Sequence, residues 1–170
     1  MLLAAHQVSD IAREMLQLLT KEGDIETLAP REVQLDLEAV LNEYIRAEQE
    51  LTGKARALLD AKGLPNHEFA RVLKGLADQK NVKVGDEALD YVLEQLLSML
   101  LNSSNVEEIY AEDYDLRRKL RAPFRKRAEV QQKVKKAAGR TASPTPQEAL
   151  PAWEIGYQQL LGEIRRRKGL

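Results

Sequence analysis

Apolar residues along this chain recur at the three-and-four spacing of a buried helix face. Val8, Ile11, Ala12, Met15, Leu18 and Leu19 mark a first helix, which Gly23 is placed to end. Pro30 suits the first turn of a second helix. Its stripe of Val33, Leu37, Val40, Leu41, Tyr44, Leu51, Ala55 and Leu58 continues to Gly63. That run makes about 50 Å of helix at ~1.5 Å per residue. In the Leu64-Pro65-Asn66 turn, Asn66 can cap a third helix with Phe69, Val72, Leu73 and Leu76 facing inward. After Gly85 the pattern restarts. Asp86 is placed to cap a fourth helix carrying Leu89, Val92, Leu93, Leu96, Leu97 and Leu100, which stops near Asn102. A fifth helix is expected from about Glu112 to about Ala138. Inside it Pro123 costs a hydrogen bond and is expected to kink or split the helix near Ala122. Residues 139–150 contain Pro144 and Pro146 and read as a linker. A last helix bears Trp153, Ile155, Tyr157, Leu160, Leu161 and Ile164, whose aromatic rings suit a core.

The restart has the form of a repeat. A shift of 81 positions pairs Val8 with Leu89, Ile11 with Val92, Met15 with Leu96 and Leu19 with Leu100. The same shift pairs Ile25 with Val106, Glu26 with Glu107 and Leu28 with Ile109. Beyond the linker, a shift of 88 brings Val72-Leu73 onto Leu160-Leu161. The predicted fold is therefore all-α: a bundle of about six helices built from two tandem short–long–short repeats, 1–84 and 85–170.

Composition narrows the class. The chain has 170 residues, 44% hydrophobic and 31% charged, enough to bury a core. It has no cysteine, which excludes disulfides and thiolate metal sites. No run reaches the ~20 apolar residues of a membrane span. The N-terminus lacks a positively charged leader region and meets charge at Asp10, so a cytoplasmic location is expected.

The formal charge of −1 conceals a split. Residues 1–116 hold 23 Asp/Glu against 11 Lys/Arg, a net of −12, and residues 117–170 hold 15 Lys/Arg against 4 Asp/Glu, a net of +11. Such asymmetry points to a nucleic-acid, membrane or acidic-partner surface, or to pairing between the halves. The basic candidates are Arg117, Arg118, Arg121, Arg125, Lys126, Lys133, Lys135 and Lys136, with Arg165, Arg166 and Arg167 near the end. They surround an apolar face of Leu116, Leu120, Phe124, Val130 and Val134. Such a surface can neutralise phosphates, but it lacks the interleaved aromatics of a base-stacking platform. One Phe and no Trp make a poor membrane wedge, so a membrane surface is disfavoured. The competing expectation is that these cations face the acids of the long second helix, Glu32, Asp36, Glu38, Glu43, Glu48 and Glu50.

The segments Gly23-Asp24-Ile25-Glu26, Pro30-Arg31-Glu32-Val33 and, above all, Asn105-Val106-Glu107-Glu108-Ile109-Tyr110-Ala111-Glu112-Asp113 resemble the bacterial family catalogued as domain of unknown function 507. The terminal Arg165-Arg166-Arg167-Lys168-Gly169-Leu170 is also similar to its members, and the resemblance covers essentially the whole chain. It implies a cytoplasmic, all-helical bacterial protein. It implies no activity, cofactor or catalytic residue.

Little else points to chemistry. The acids Glu107, Glu108, Glu112, Asp113 and Asp115 fit the start of a helix better than a metal site. Asp113 stands four residues before Arg117, and Asp115 four before Lys119, the spacing of intrahelical ion pairs. His6 and His67 fall in no metal-binding arrangement, and no nucleophile motif or phosphate loop occurs. No enzyme, cofactor, metal or small-molecule substrate is expected. The sequence favours an interaction protein that self-associates or binds a protein partner through its long helices. A nucleic-acid-associated protein using 117–140 and 165–168 is the alternative.

Overall fold

The computed structural model describes residues 2–141, with side-chain burial as far as Ala138. These residues form five α-helices: α1 (Val8–Lys21), α2 (Pro30–Lys62), α3 (Phe69–Gln79), α4 (Ala88–Asn102) and α5 (Asp113–Thr141). Two strands of two residues each, β1 (Ile25–Glu26) and β2 (Glu108–Ile109), pair antiparallel. Apart from this ladder the described residues are all-α. The helix expected around Trp153–Ile164 lies outside the described residues, as do the linker and Arg165, Arg166 and Arg167.

α2 is the spine, 33 residues long, with α1, α3 and α4 packed along it. Its inward face is Val33, Leu37, Leu41, Tyr44, Ile45, Glu48, Leu51, Ala55 and Leu59. The expected stripe is displaced at two positions. Val40 and Leu58 are half-buried, and Ile45 and Leu59 take the deeper places. A 3.6-residue period drifts around so long a helix, and only its neighbours decide which flank they cover. α3 is shallower than its pattern suggested. Of its residues only Ala77 is buried, and Phe69, Val72, Leu73 and Leu76 are half-exposed.

Helix starts differ from the predicted caps for one recurring reason. Short 3-10 turns at Ala5–Gln7, Asn66–Glu68 and Gly85–Glu87 lead into α1, α3 and α4. Asn66 and Asp86 lie within those turns, and neither caps a helix through its side chain. Helix ends follow expectation more closely. α2 closes at Gly63 (φ 63°), with Gly63 N–H donating to the Asp60 carbonyl and Leu64 N–H to that of Leu59. α3 ends the same way with Asn81 (φ 57°) in the left-handed position, Asn81 N–H reaching Asp78 and Val82 N–H reaching Ala77. Both are Schellman closures.

Pro123 does not split its helix: α5 runs without interruption from Asp113 to Thr141. Proline forfeits one bond in the ladder, that to the carbonyl four residues back, and the flanking turns carry the helix on. Leu116, Leu120, Phe124, Val130 and Val134 are buried, as their stripe predicted. By contact density the chain divides after Pro123. The elements on either side of 84/85, as far as Pro123, belong to one compact unit.

The order 3-10 turn, helix, two-residue strand, long helix occurs twice, at 5–62 and 85–141. In the ladder Ile25 faces Ile109 and Glu26 faces Glu108. A shift of 83, rather than 81, superposes β1 on β2 and the start of α2 on that of α5.

Candidate interaction interface

A groove of about 390 Å³ runs between α2 and α4. From α2 it is lined by Asp36, Ala39, Val40, Glu43, Tyr44 and Ala47, and from α4 by Tyr91, Val92, Gln95 and Met99. Val82 closes one side, brought there by the left-handed turn at Asn81. The α2 wall from Asp36 to Ala47 covers three helical turns, about 16 Å at ~1.5 Å per residue. The small Ala39 and Ala47 keep that wall open, and two tyrosines form its deeper part. The Tyr44 and Tyr91 ring centroids lie 5.9 Å apart at 48°, a tilted pairing favoured for aromatic quadrupoles.

Tyr44 is fixed from two sides. Its hydroxyl lies 3.1 Å from Glu48 Oε2 and 3.0 Å from the Lys83 carbonyl. One hydroxyl hydrogen thus serves two acceptors. Burial, with the Glu48 charge and hydrogen bond behind it, raises the phenol well above its ordinary value. The tyrosine stays neutral and works as a donor.

Next to the groove, the two long helices hold the two ladder connections in chemically opposite ways. On α2, Asp36 Oδ2 accepts from Ser103 Oγ and Asn105 Nδ2, both at 2.9 Å, which pins the turn between α4 and β2. On α5, Lys119 donates to Glu22 at 2.9 Å and pairs more closely with Asp24, which pins the turn between α1 and β1. Asp36 and Lys119 are 83 positions apart, the shift that superposes the strands. Lys119 is only 8% exposed. Hydrogen bonds to Asp24 first, and then to Glu22, raise its ammonium above the usual lysine value. The same contact lowers Glu22. The sequence list of basic candidates omits Lys119. Its signal is the acidic Glu22 and Asp24 flanking Gly23, and nothing local connects them to position 119.

Of the basic residues singled out from the sequence, Arg117 and Arg121 turn onto α4. Arg117 bonds Glu94 at 2.9 Å and Arg121 bonds Asp90 at 2.8 Å. This corrects the expected spacing-of-four pairs. Arg117 pairs with Glu94 in place of Asp113, and Lys119 with Glu22 and Asp24 in place of Asp115, which instead lies 3.6 Å from Arg118. A same-helix pair contributes only ~0.2–0.5 kcal/mol, so a tertiary partner readily displaces it.

Glu43 is bonded to Arg46, Glu50 to Lys54, Glu48 to Tyr44 and Asp36 to the Ser103–Asn105 turn. Farther along α5, Arg125 lies 3.5 Å from Glu129, and Lys126, Lys133, Lys135 and Lys136 are exposed. His6 and His67 are exposed. Among the described residues no group of three or more His, Asp or Glu is gathered as a metal would require.

No curated protein matches this sequence. The profile of one family, described as protein of unknown function (DUF507), matches residues 1–170. The resemblance carried by the Asn105–Asp113 run thus extends to the entire sequence, and the chain belongs to the DUF507 family of proteins of unknown function.

Proposed function

We propose that this chain is a non-enzymatic interaction protein that receives a helix from a second copy along α2. The observation that carries this reading is the groove between α2 and α4. Three turns of α2 present Ala39, Val40 and Ala47 with Tyr91 and Met99 opposite, the form of a helix-in-groove site. Val40 sits on the apolar stripe yet remains half-exposed, as a surface awaiting a further helix would be. The doubled element order and the matched positions of Asp36 and Lys119 support descent from one duplicated helical unit. A cytoplasmic setting fits the cysteine-free composition, and no described helix is long and apolar enough to cross a membrane.

Light scattering tests this directly. The parent should run at a multiple of 19.2 kDa, and Val40→Asp, which places a charge in the groove, should return it to monomer. A parent that is monomeric at all concentrations overturns self-association.

A second reading rests on Arg125, Lys133, Lys135 and Lys136, all exposed on α5. Exposed cations of this kind can neutralise phosphates of a nucleic-acid backbone. Binding to mixed RNA and DNA over a salt series decides it, since affinity should fall on a log–log slope of about −0.7 to −0.9 per phosphate neutralised. Indifference to nucleic acid at low salt removes this reading.

A further inference from the structure

The groove between α2 and α4 is a poor partner for another copy of itself. Its lining holds two carboxylates, Asp36 and Glu43, and no lysine or arginine. The donors on Asp36 come from Ser103 and Asn105, which are neutral and leave its charge standing. Arg46 pairs with Glu43, but both side chains are well exposed, and a pair in water contributes little. Two grooves set face to face would bring four carboxylates together, and like charges juxtaposed at an interface oppose association. The surplus extends along the helix, since residues 32–50 carry six acids against Arg46 alone. A helix that fills this groove must bring cations to its rim.

The chain itself contains such a helix. Residues 124–138 of α5 carry six lysines and arginines against Glu129 alone. One side of this stretch is buried, at Phe124, Val130, Val134 and Ala138. On the other side Arg125, Ala128, Gln132 and Lys136 follow one another at spacings of three and four, which places them on one face, and all four are exposed. Arg125 to Lys136 spans eleven positions, as does the groove wall from Asp36 to Ala47. Both are about 16 Å long at ~1.5 Å per residue. Ala128 is small, like Ala39 and Ala47 on the groove wall, so the two backbones can approach. Arginine and lysine stems lie along apolar surface while their charged ends stay in water, which suits an apolar floor with an acidic rim.

We infer that the helix received by the groove is α5 of the second copy, docked through the face of Arg125, Ala128, Gln132 and Lys136. The inference rests on the self-association reading and names the partner surface within it. Groove and basic face are different patches carried by every copy, so the contact is heterologous. It differs from a purely apolar contact in its response to salt. Attraction between exposed charges is screened, the Debye length falling from about 10 Å at 0.1 M to about 3 Å at 1 M.

The test is light scattering of the full chain and its charge-reversed variants over a concentration series. Glu43→Lys on the groove rim and Arg125→Glu/Lys136→Glu on α5 each set like charges against one another, and each should weaken association about tenfold or more. Mixed in equal amounts, the two variants should associate again, because the lysine rim of one meets the glutamate face of the other. Association of the parent should weaken about tenfold or more between 0.1 M and 1 M salt. A control, Lys74→Glu/Lys80→Glu, reverses two exposed charges elsewhere and should leave association within about twofold, the change expected from diffuse charge alone. The altered side chains are all exposed, and circular dichroism checks that each variant is folded. A parent that is monomeric at every concentration overturns the inference together with the reading it rests on. A parent that associates but is unmoved by Arg125→Glu/Lys136→Glu, or a mixture of the two variants that stays apart, leaves self-association standing and overturns the assignment of α5.

Discussion

Replacing Asp36 by alanine removes the acceptor that holds the turn between α4 and β2. Two donors lose their partner at once, Ser103 Oγ and Asn105 Nδ2, each 2.9 Å from Asp36 Oδ2. Hydrogen bonds to a charged group contribute ~1.5–3 kcal/mol each when well sheltered. All three residues are half-buried, so water can partly replace the lost contacts and the lower end applies. The expected cost is about 2–3 kcal/mol for the pair of bonds. With a urea m-value of about 1–3 kcal/mol/M for a domain of this size, the unfolding midpoint should fall by roughly 1–2 M.

Urea denaturation of Asp36→Ala, Asn105→Ala and the double variant measures this and isolates the coupling. The double variant should cost less than the sum of the singles, because the second change removes a bond already broken. A loss below about 0.5 kcal/mol, typical of an uninvolved surface position, refutes the reasoning, as does strict additivity. Either result means that the turn is held by its own local bonds, such as that from Asn105 N–H to Ser103 Oγ at 3.1 Å.

Two further outcomes follow from the polar contacts. Tyr44→Phe deprives both buried Glu48 and the Lys83 carbonyl of their shared donor, and should cost about 1–3 kcal/mol; an unchanged thermal midpoint would contradict the assigned role of the hydroxyl. The stability contributed by Lys119 is fully present below 10.5 and is lost as pH rises through its raised folded value. That contributed by Glu22 is present above 4.5 and is lost as pH falls through its lowered folded value. Lys119→Met should therefore flatten the alkaline limb of stability against pH and diminish the acid limb, on which Glu50, lowered by Lys54, remains. An alkaline limb as steep in the variant as in the parent would show that Lys119 is not its source.

Periodicity and punctuation alone determine five helices of the described chain. Apolar side chains at three-and-four spacing must find cover, and Gly63 must close α2 wherever the helix docks. The net charge of each half is likewise a property of the sequence. Tertiary structure decided the rest, because partners distant in sequence compete with local ones. Arg117 and Lys119 have acids at the right spacing on their own helix, yet they turn to Glu94 and to Glu22 and Asp24, where packing brings a better-placed charge. Two-residue strands are too short to show a period of two, so β1, β2 and their ladder emerge only when the 25–26 and 108–109 segments meet. Val40 carries the same apolar signal as Leu41. Only the packing of α4 against α2 makes one core and leaves the other in an open groove.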